Sequence, residues 1–223
     1  MGFPLQYAHT EPYVSEKVSR MSRYDVSGSE SEYQPGSENK VLENLARITD
    51  PTDMNVAETE LLEALYIQVF DSFPDMMDFQ KICQWHRAWL GNVYRWAGQY
   101  RTVDMSKPNM RFASPMQIHR LITAFDSQYL TRFCDLPKMS DEQLIRFLAE
   151  MHVEFILIHP FREGNGRISR LLLDVMAAKA GAQPLDYSLW NEHKEYYFKA
   201  IQAGRDGDYQ FVERLIRDVL DMQ

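Results

Sequence analysis

From residue 41 onward, apolar residues recur at three- and four-residue intervals along most of the chain, and this periodicity restricts it to a helical fold. Leu61, Leu62, Leu65, Tyr66 and Val69 mark the inward face of a helix predicted over 59–73. Phe79, Ile82, Trp85 and Trp89 do the same over 78–90, and Ile118, Leu121, Ile122 and Phe125 after Pro115. A fourth stripe is Leu144, Leu148, Met151 and Phe155. A fifth runs through Ile168, Leu171, Leu172, Val175 and Met176, and Gly181 and Pro184 stop it. Two further amphipathic stretches cover roughly 190–203 and 208–220.

The helical period fails in one place. Tyr100 to Ser106 alternates, Lys107-Pro108-Asn109 offers a turn, and Met110-Arg111-Phe112 follows, which predicts a small β-hairpin between helices. The expected fold is all-α with that one hairpin. Residues 1–40 are polar and turn-rich, notably from Ser27 to Asn39, and read as an arm ahead of a domain over 41–223. No apolar run suits a signal peptide near the N-terminus or a membrane span elsewhere, and Gln6 breaks the myristoylation pattern after Gly2. The expected compartment is therefore the cytoplasm, reached either by residence or by delivery as an effector. A net charge of -8 argues against a nucleic-acid or acidic-membrane surface. Cys83 and Cys134 form no C-x-x-C pair, so neither a zinc knuckle nor a disulfide framework is indicated.

Chemistry concentrates between the fourth and fifth helices, in His159-Pro-Phe-Arg-Glu-Gly-Asn-Gly-Arg-Ile-Ser-Arg170. Pro160 ends one helix, and Gly164 and Gly166 let the chain turn and approach a ligand closely. The next helix opens near Arg167, so its first N–H groups form an anion site. Arg167 and Arg170, three apart, can each fork onto phosphate oxygens. His159 titrates near neutrality and can act as a general base, and Glu163 is a hard ligand suited to Mg²⁺ carried with phosphates. This combination points to phosphoryl or nucleotidyl transfer.

The string resembles the signature of the Fic family, H-x-F-x-[DE]-G-N-G-R-x-x-R, at every fixed position. His86 and Tyr94-Arg-Trp-Ala-Gly-Gln-Tyr-Arg101 add support upstream. The resemblance covers about 41–220. It implies a protein adenylyltransferase that moves AMP from Mg-ATP to a Tyr, Thr or Ser hydroxyl of a target protein. His159 would deprotonate that hydroxyl, and Glu163 would bind the Mg²⁺ bridging the α- and β-phosphates. Gly164, Asn165 and Gly166 would form the anion hole. Arg167 would stabilise the transferring and leaving phosphates, and Arg170 would hold the γ-phosphate. Phe161 would lock the loop from the core. The hairpin, through Met105, Ser106, Lys107 and Met110, would dock the target segment as an added strand. The adenine pocket would lie near Tyr197.

Relatives often carry an inhibitory helix, [ST]-x-x-x-E-[GN], whose Glu pairs with the second arginine, here Arg170. No strict match exists: Thr59-x-x-x-Glu63-Ala64 and Ser188-x-x-x-Glu192-His193 fail at the last position. Thr59 reads instead as a helix start and Glu63 as exposed face, and a separate small antitoxin protein is expected to supply the inhibitory helix. Alternatives on the same scaffold are Doc-like γ-phosphate transfer, which Gly166 disfavours, and UMP or phosphocholine transfer. A non-catalytic nucleotide-binding regulator is the rival from another class. His86, His119 and His152 read as structural, and Trp85, Trp89 and Trp96 as core. No H-E-x-x-H, P-C-x-x-C or P-loop string occurs.

Overall fold

The structure, a computed structural model, describes residues 25–27, 32–107 and 110–221. Pro108 and Asn109, expected to form the hairpin turn, lie outside the described residues, as do residues 1–24 and 28–31 of the polar arm.

The first helix, α1 (Pro51–Asp71), begins eight residues before the apolar stripe suggests. Its N-cap is Asp50, whose carboxylate accepts the N–H groups of Thr52 and Asp53, and Pro51 occupies the first helical position. Thr59 therefore sits inside the helix, where its hydroxyl donates to the Asn55 carbonyl, and Glu63 is exposed as expected. The early turns escape a hydrophobic reading because they bury Met54 and Glu58, one of them charged. Helix α2 (Phe79–Leu90) is capped by Asp78. After it come β2 (Asp104–Lys107) and β3 (Met110–Arg111), then α3 (Pro115–Gln128) and a 3-10 helix over Leu130–Lys138.

Helix α4 (Asp141–Ile158) starts at a capping box formed by Ser140 and Gln143. It is more than the amphipathic helix that its stripe predicts. Ile145, Phe147, Val153 and Ile156 are buried along with Leu148, Met151 and Phe155, because α3 and three helices that follow α4 in the chain pack around it. A helix that is apolar nearly all round belongs at the centre of a bundle. Helix α5 (Asn165–Lys179) is similarly enclosed, and α6 (Ser188–Glu192), α7 (Lys194–Arg205) and α8 (Gln210–Asp221) complete the fold. The six-residue connection from α4 to α5 thus joins the two most deeply packed helices.

The hairpin is part of a three-stranded antiparallel sheet. Strand β1 (Asp25–Ser27) comes from the polar arm and pairs with β2 in the register Asp25 to Ser106, Val26 to Met105 and Ser27 to Asp104. β2 pairs with β3 on its other side, Ser106 to Arg111 and Lys107 to Met110. Among the described residues no helix is long and apolar enough to cross a membrane.

Candidate active site

The α4–α5 loop opens with a residue in an unusual backbone conformation. His159 closes α4 with φ 50° and ψ 59°, the left-handed region that most side chains avoid. The turn drives its imidazole inward, where it is 3% exposed and stacks on Phe112, just past β3, with ring centroids 3.7 Å apart. Nδ1 lies 3.1 Å from the Ile156 carbonyl. A carbonyl only accepts, so Nδ1 carries the hydrogen and Nε2 keeps the lone pair. Burial first, and then the positive charges of Lys107 and Arg101, hold the pKa of His159 down to about 3, so the ring is neutral at pH 7.

Buried donors satisfy the loop's carbonyls. The Arg101 guanidinium donates to the carbonyls of Ile158 and His159, and also to those of Val103 and Ala113 at the two ends of the hairpin. Its backbone N–H donates to Pro160. Asn165 folds its side chain back on Phe161, accepting that residue's N–H at 2.9 Å and donating to its carbonyl at 2.7 Å. His86 accepts the Gly98 N–H through Nδ1, so Nε2 donates to the Glu163 carbonyl at 3.0 Å. Its ring stacks on Phe161 at 4.0 Å. His86 and Phe161 are thus the structural pieces that the sequence suggests. Asn165 spends its side chain on closing the loop, so only its backbone N–H is placed to meet an anion.

Gly164 caps α5 at φ 80°, and a Cβ there would lie 2.6 Å from the Trp89 ring. At Gly166 a Cβ would meet nothing within 4 Å, leaving open space over the first turn of α5. The N–H groups of Asn165, Gly166 and Arg167 begin that turn, where helical geometry supplies no acceptor. Glu163, 8% exposed, accepts the Gly164 N–H at 2.9 Å. Among the described residues no three His, Cys, Asp or Glu side chains gather to cage an ion. A carboxylate in the loop that leads into this turn suits Mg²⁺ when the ion's remaining ligands are phosphate oxygens and water.

The two motif arginines diverge. Arg167 turns toward α1, where its Nη2 lies 2.6 Å from Glu58 Oε2 and 3.6 Å from Glu163 Oε1, and its guanidinium stands 4.6 Å over Trp89. Arg170 turns toward α6, donating to Asn191 Oδ1 at 3.0 Å and standing 5.0 Å over the Tyr187 ring. Beneath Arg170, Trp190 stacks on Tyr197, whose hydroxyl meets His152 Nε2 at 2.8 Å. The hairpin lies on the His159 side. Met105 and Met110 are buried in it, Ser106 and Lys107 are half-buried, and the Lys107 ammonium sits 4.5 Å over Phe198 of α7. Because β1 and β3 flank β2, neither edge of β2 is open to a further strand.

Sequence reasoning missed Glu58 and Trp89 as parts of this site. Glu58 belongs to no motif and lies just ahead of the predicted helix, yet it falls on the helical row of Met54, Leu62, Leu65 and Val69. A lone carboxylate on a buried row implies a buried cation facing it.

Residues 76–177 match the Fic/DOC family model. The chain is 31% identical over 165 residues to the protein adenylyltransferase VbhT of Bartonella schoenbuchensis, covering 72% of this chain but only 33% of that protein. It is 30% identical over 142 residues to "Probable protein adenylyltransferase y4lH" of Sinorhizobium fredii, covering 63% of this chain and 72% of that one. The chain therefore spans about a third of the first relative and most of the second. In fold it is similar to the N-terminal FIC domain of Bep8, a VirB-translocated effector of Bartonella sp. 1-1C, with a TM-score of 0.72 at 20% identity over 84% of this chain and 94% of that one. BepC of Bartonella tribocorum, crystallised with bound AMPPNP, gives a TM-score of 0.69 at 21% identity over the same shares.

Two outcomes follow from the geometry. Gly164→Ala is expected to lower stability by about 2 kcal/mol or more, through strain of the left-handed backbone and the clash with Trp89. Gly166→Ala should leave stability unchanged or slightly raised, and thermal unfolding of the two variants checks the contrast. Stability should also fall on acidification. His86, His152 and His159 have pKa values held down to about 4, 3 and 3 by burial, while their unfolded counterparts take up protons below about 6.5. Asp174, raised to about 7 by burial, acts in the opposite sense. Three groups against one leave a net loss on the order of 2–3 kcal/mol per pH unit between about pH 6 and 4. Denaturant unfolding at several pH values should show this slope, and His152→Leu should make it shallower.

Proposed function

Because this chain belongs to the Fic/DOC family, we propose that it is a protein adenylyltransferase that moves AMP from Mg-ATP to a Tyr, Thr or Ser hydroxyl of a target protein. The observation that carries this reading is the fixed tautomer of His159. A neutral imidazole with Nδ1–H tied to Ile156 presents Nε2 as a base. It does so one short loop away from a carboxylate, a helix N-terminus and two arginines.

The target hydroxyl gives its proton to His159 Nε2, and its oxygen attacks the α-phosphorus. The new O–P bond forms as the bond to the bridging oxygen breaks, and pyrophosphate leaves. Arg167 and the first N–H groups of α5 offset the charge on the transferring and leaving phosphates, and Arg170 orients the far end of the triphosphate. Glu163 would hold Mg²⁺ with the phosphate oxygens, which supplies further charge neutralisation. In this reading a separate small antitoxin protein supplies the inhibitory glutamate, directed at Arg170, whose guanidinium meets Asn191 and the Tyr187 ring.

The target's route is constrained by β1. An extended segment that adds to β2 has to replace Asp25–Ser27, or else pair beyond β3. A chain starting at residue 32 is therefore expected to modify its target faster than the full chain. Equal rates would place target docking elsewhere.

Label from α-³²P-ATP should enter target protein in a cell lysate, and label from γ-³²P-ATP should not. The reverse result would mean Doc-like phosphate transfer. His159→Ala should reduce incorporation by 10³-fold or more while ATP affinity stays within a few-fold. Arg170→Ala should weaken ATP binding. Unchanged labelling by His159→Ala would end the enzymatic reading in favour of a nucleotide-binding regulator.

A further inference from the structure

The Arg170 guanidinium rests in a cradle built by α6. Nη1 donates to Asn191 Oδ1 at 3.0 Å, and the planar group stands 5.0 Å over the Tyr187 ring and 5.9 Å over that of Trp190. One amide oxygen and two aromatic faces hold a cation without cancelling its charge. The cradle is itself anchored. Tyr187 is the N-cap residue of α6, a helix of five residues that is too short to keep its shape alone. The Tyr187 hydroxyl donates to Asp174 Oδ1 at 2.9 Å and lies 3.2 Å from the Arg170 carbonyl. Asp174 is buried in α5, and its other oxygen accepts the Tyr66 hydroxyl of α1 at 2.8 Å. Trp190, 1% exposed, donates its indole N–H to the Leu215 carbonyl at 3.3 Å, which ties α6 to α8. The Asn191 N–H in turn donates to the Tyr187 carbonyl, so the amide beside Arg170 moves with the ring beneath it.

We propose that Tyr187 and Asn191 are positioning residues that pre-orient Arg170 for the γ-phosphate, and so set how well the chain tells a nucleoside triphosphate from a diphosphate. The inference rests on the adenylyltransferase reading, in which Arg170 orients the far end of the triphosphate. Fixing an arginine side chain on a phosphate costs rotamer entropy. Tyr187 and Asn191 fix it before the nucleotide arrives, so more of the attraction between guanidinium and γ-phosphate emerges as affinity. A guanidinium carries several N–H donors, and a hydrogen bond to Asn191 leaves others for phosphate oxygens. ADP ends at the β-phosphate and gains nothing from this preparation. Loss of the cradle therefore weakens ATP binding selectively. A cradle that only stabilised the fold would weaken ATP and ADP together, or neither.

The experiment is calorimetric titration of ATP and of ADP, with saturating magnesium, into the full chain of the wild type, Tyr187→Leu, Tyr187→Phe, Asn191→Ala, Tyr66→Phe and Arg170→Ala. The readout is the ratio of ATP affinity to ADP affinity. In Tyr187→Leu, which removes the aromatic face, the ratio should fall by about 5-fold, the scale of one cation–π contact, with ADP affinity unchanged. Asn191→Ala should lower the ratio in the same direction. Asn191 is exposed, so this variant decides the question if Tyr187→Leu fails to fold. Tyr187→Phe keeps the face but gives up the anchor on Asp174, and its ratio should lie between those of the wild type and Tyr187→Leu. Tyr66→Phe takes the other hydroxyl from Asp174 on the α1 side, and should lower the melting temperature with the ratio kept. An unchanged ratio in Tyr187→Leu, or equal losses for ATP and ADP, overturns the proposal. A wild-type ratio near one, or a ratio that Arg170→Ala leaves as it is, overturns the assignment of Arg170 to the far end of the triphosphate first, and this inference with it.

Discussion

A loop buried between two core helices must find a donor for each carbonyl it turns inward. In this protein the carbonyls of Ile158, His159, Pro160, Phe161 and Glu163 accept hydrogen bonds from Arg101, Asn165 and His86. Unsatisfied groups at that depth would cost about 1–3 kcal/mol each. The remaining features of the site follow from this closure. It allows His159 to keep a left-handed conformation with its ring held against Phe112, and it aims the start of α5 at open space. Arg101 also ties the loop to both ends of the hairpin, so the hairpin and the catalytic candidate share one anchor.

Electrostatics then separates the charged groups. Arg167 and Arg170 are close in sequence but are drawn to different flanks, the first by Glu58 and the Trp89 face, the second by Asn191 and Tyr187. A single phosphate chain lying over the first turn of α5 would be gripped from both sides rather than by a paired clamp. In the proposed adenylyl transfer, that arrangement assigns each guanidinium to a different part of the triphosphate. The imidazoles stay neutral for a related reason. His86, His152 and His159 are all enclosed, and the free energy of charging them without water keeps their protons off.

Helix α1 joins the two themes. It lies outside the signature loop in sequence, yet two of its polar side chains reach α5, Glu58 to Arg167 and Tyr66 to Asp174. The two contacts fall eight residues apart on α1 and seven apart on α5, about two helical turns on each. The sequence shows neither pairing, because partners more than a hundred positions apart leave no periodic trace.

The sequence by itself determined the helical class, the inward faces, the hairpin and the identity of the signature loop. These depend on local rules: period, turn chemistry, and the types of residue that bind phosphate. The role of His86 as a structural ring was legible as well, once its neighbours were read as core. Only the tertiary structure decided that α4 is buried nearly all round, that β1 from the polar arm fills the free side of β2, and that Asn165 works inward. It also decided which carboxylate Arg167 meets. A side chain's partner depends on which distant elements packing brings together, and where burial makes an unpaired charge costly, that partner sets what the residue can do.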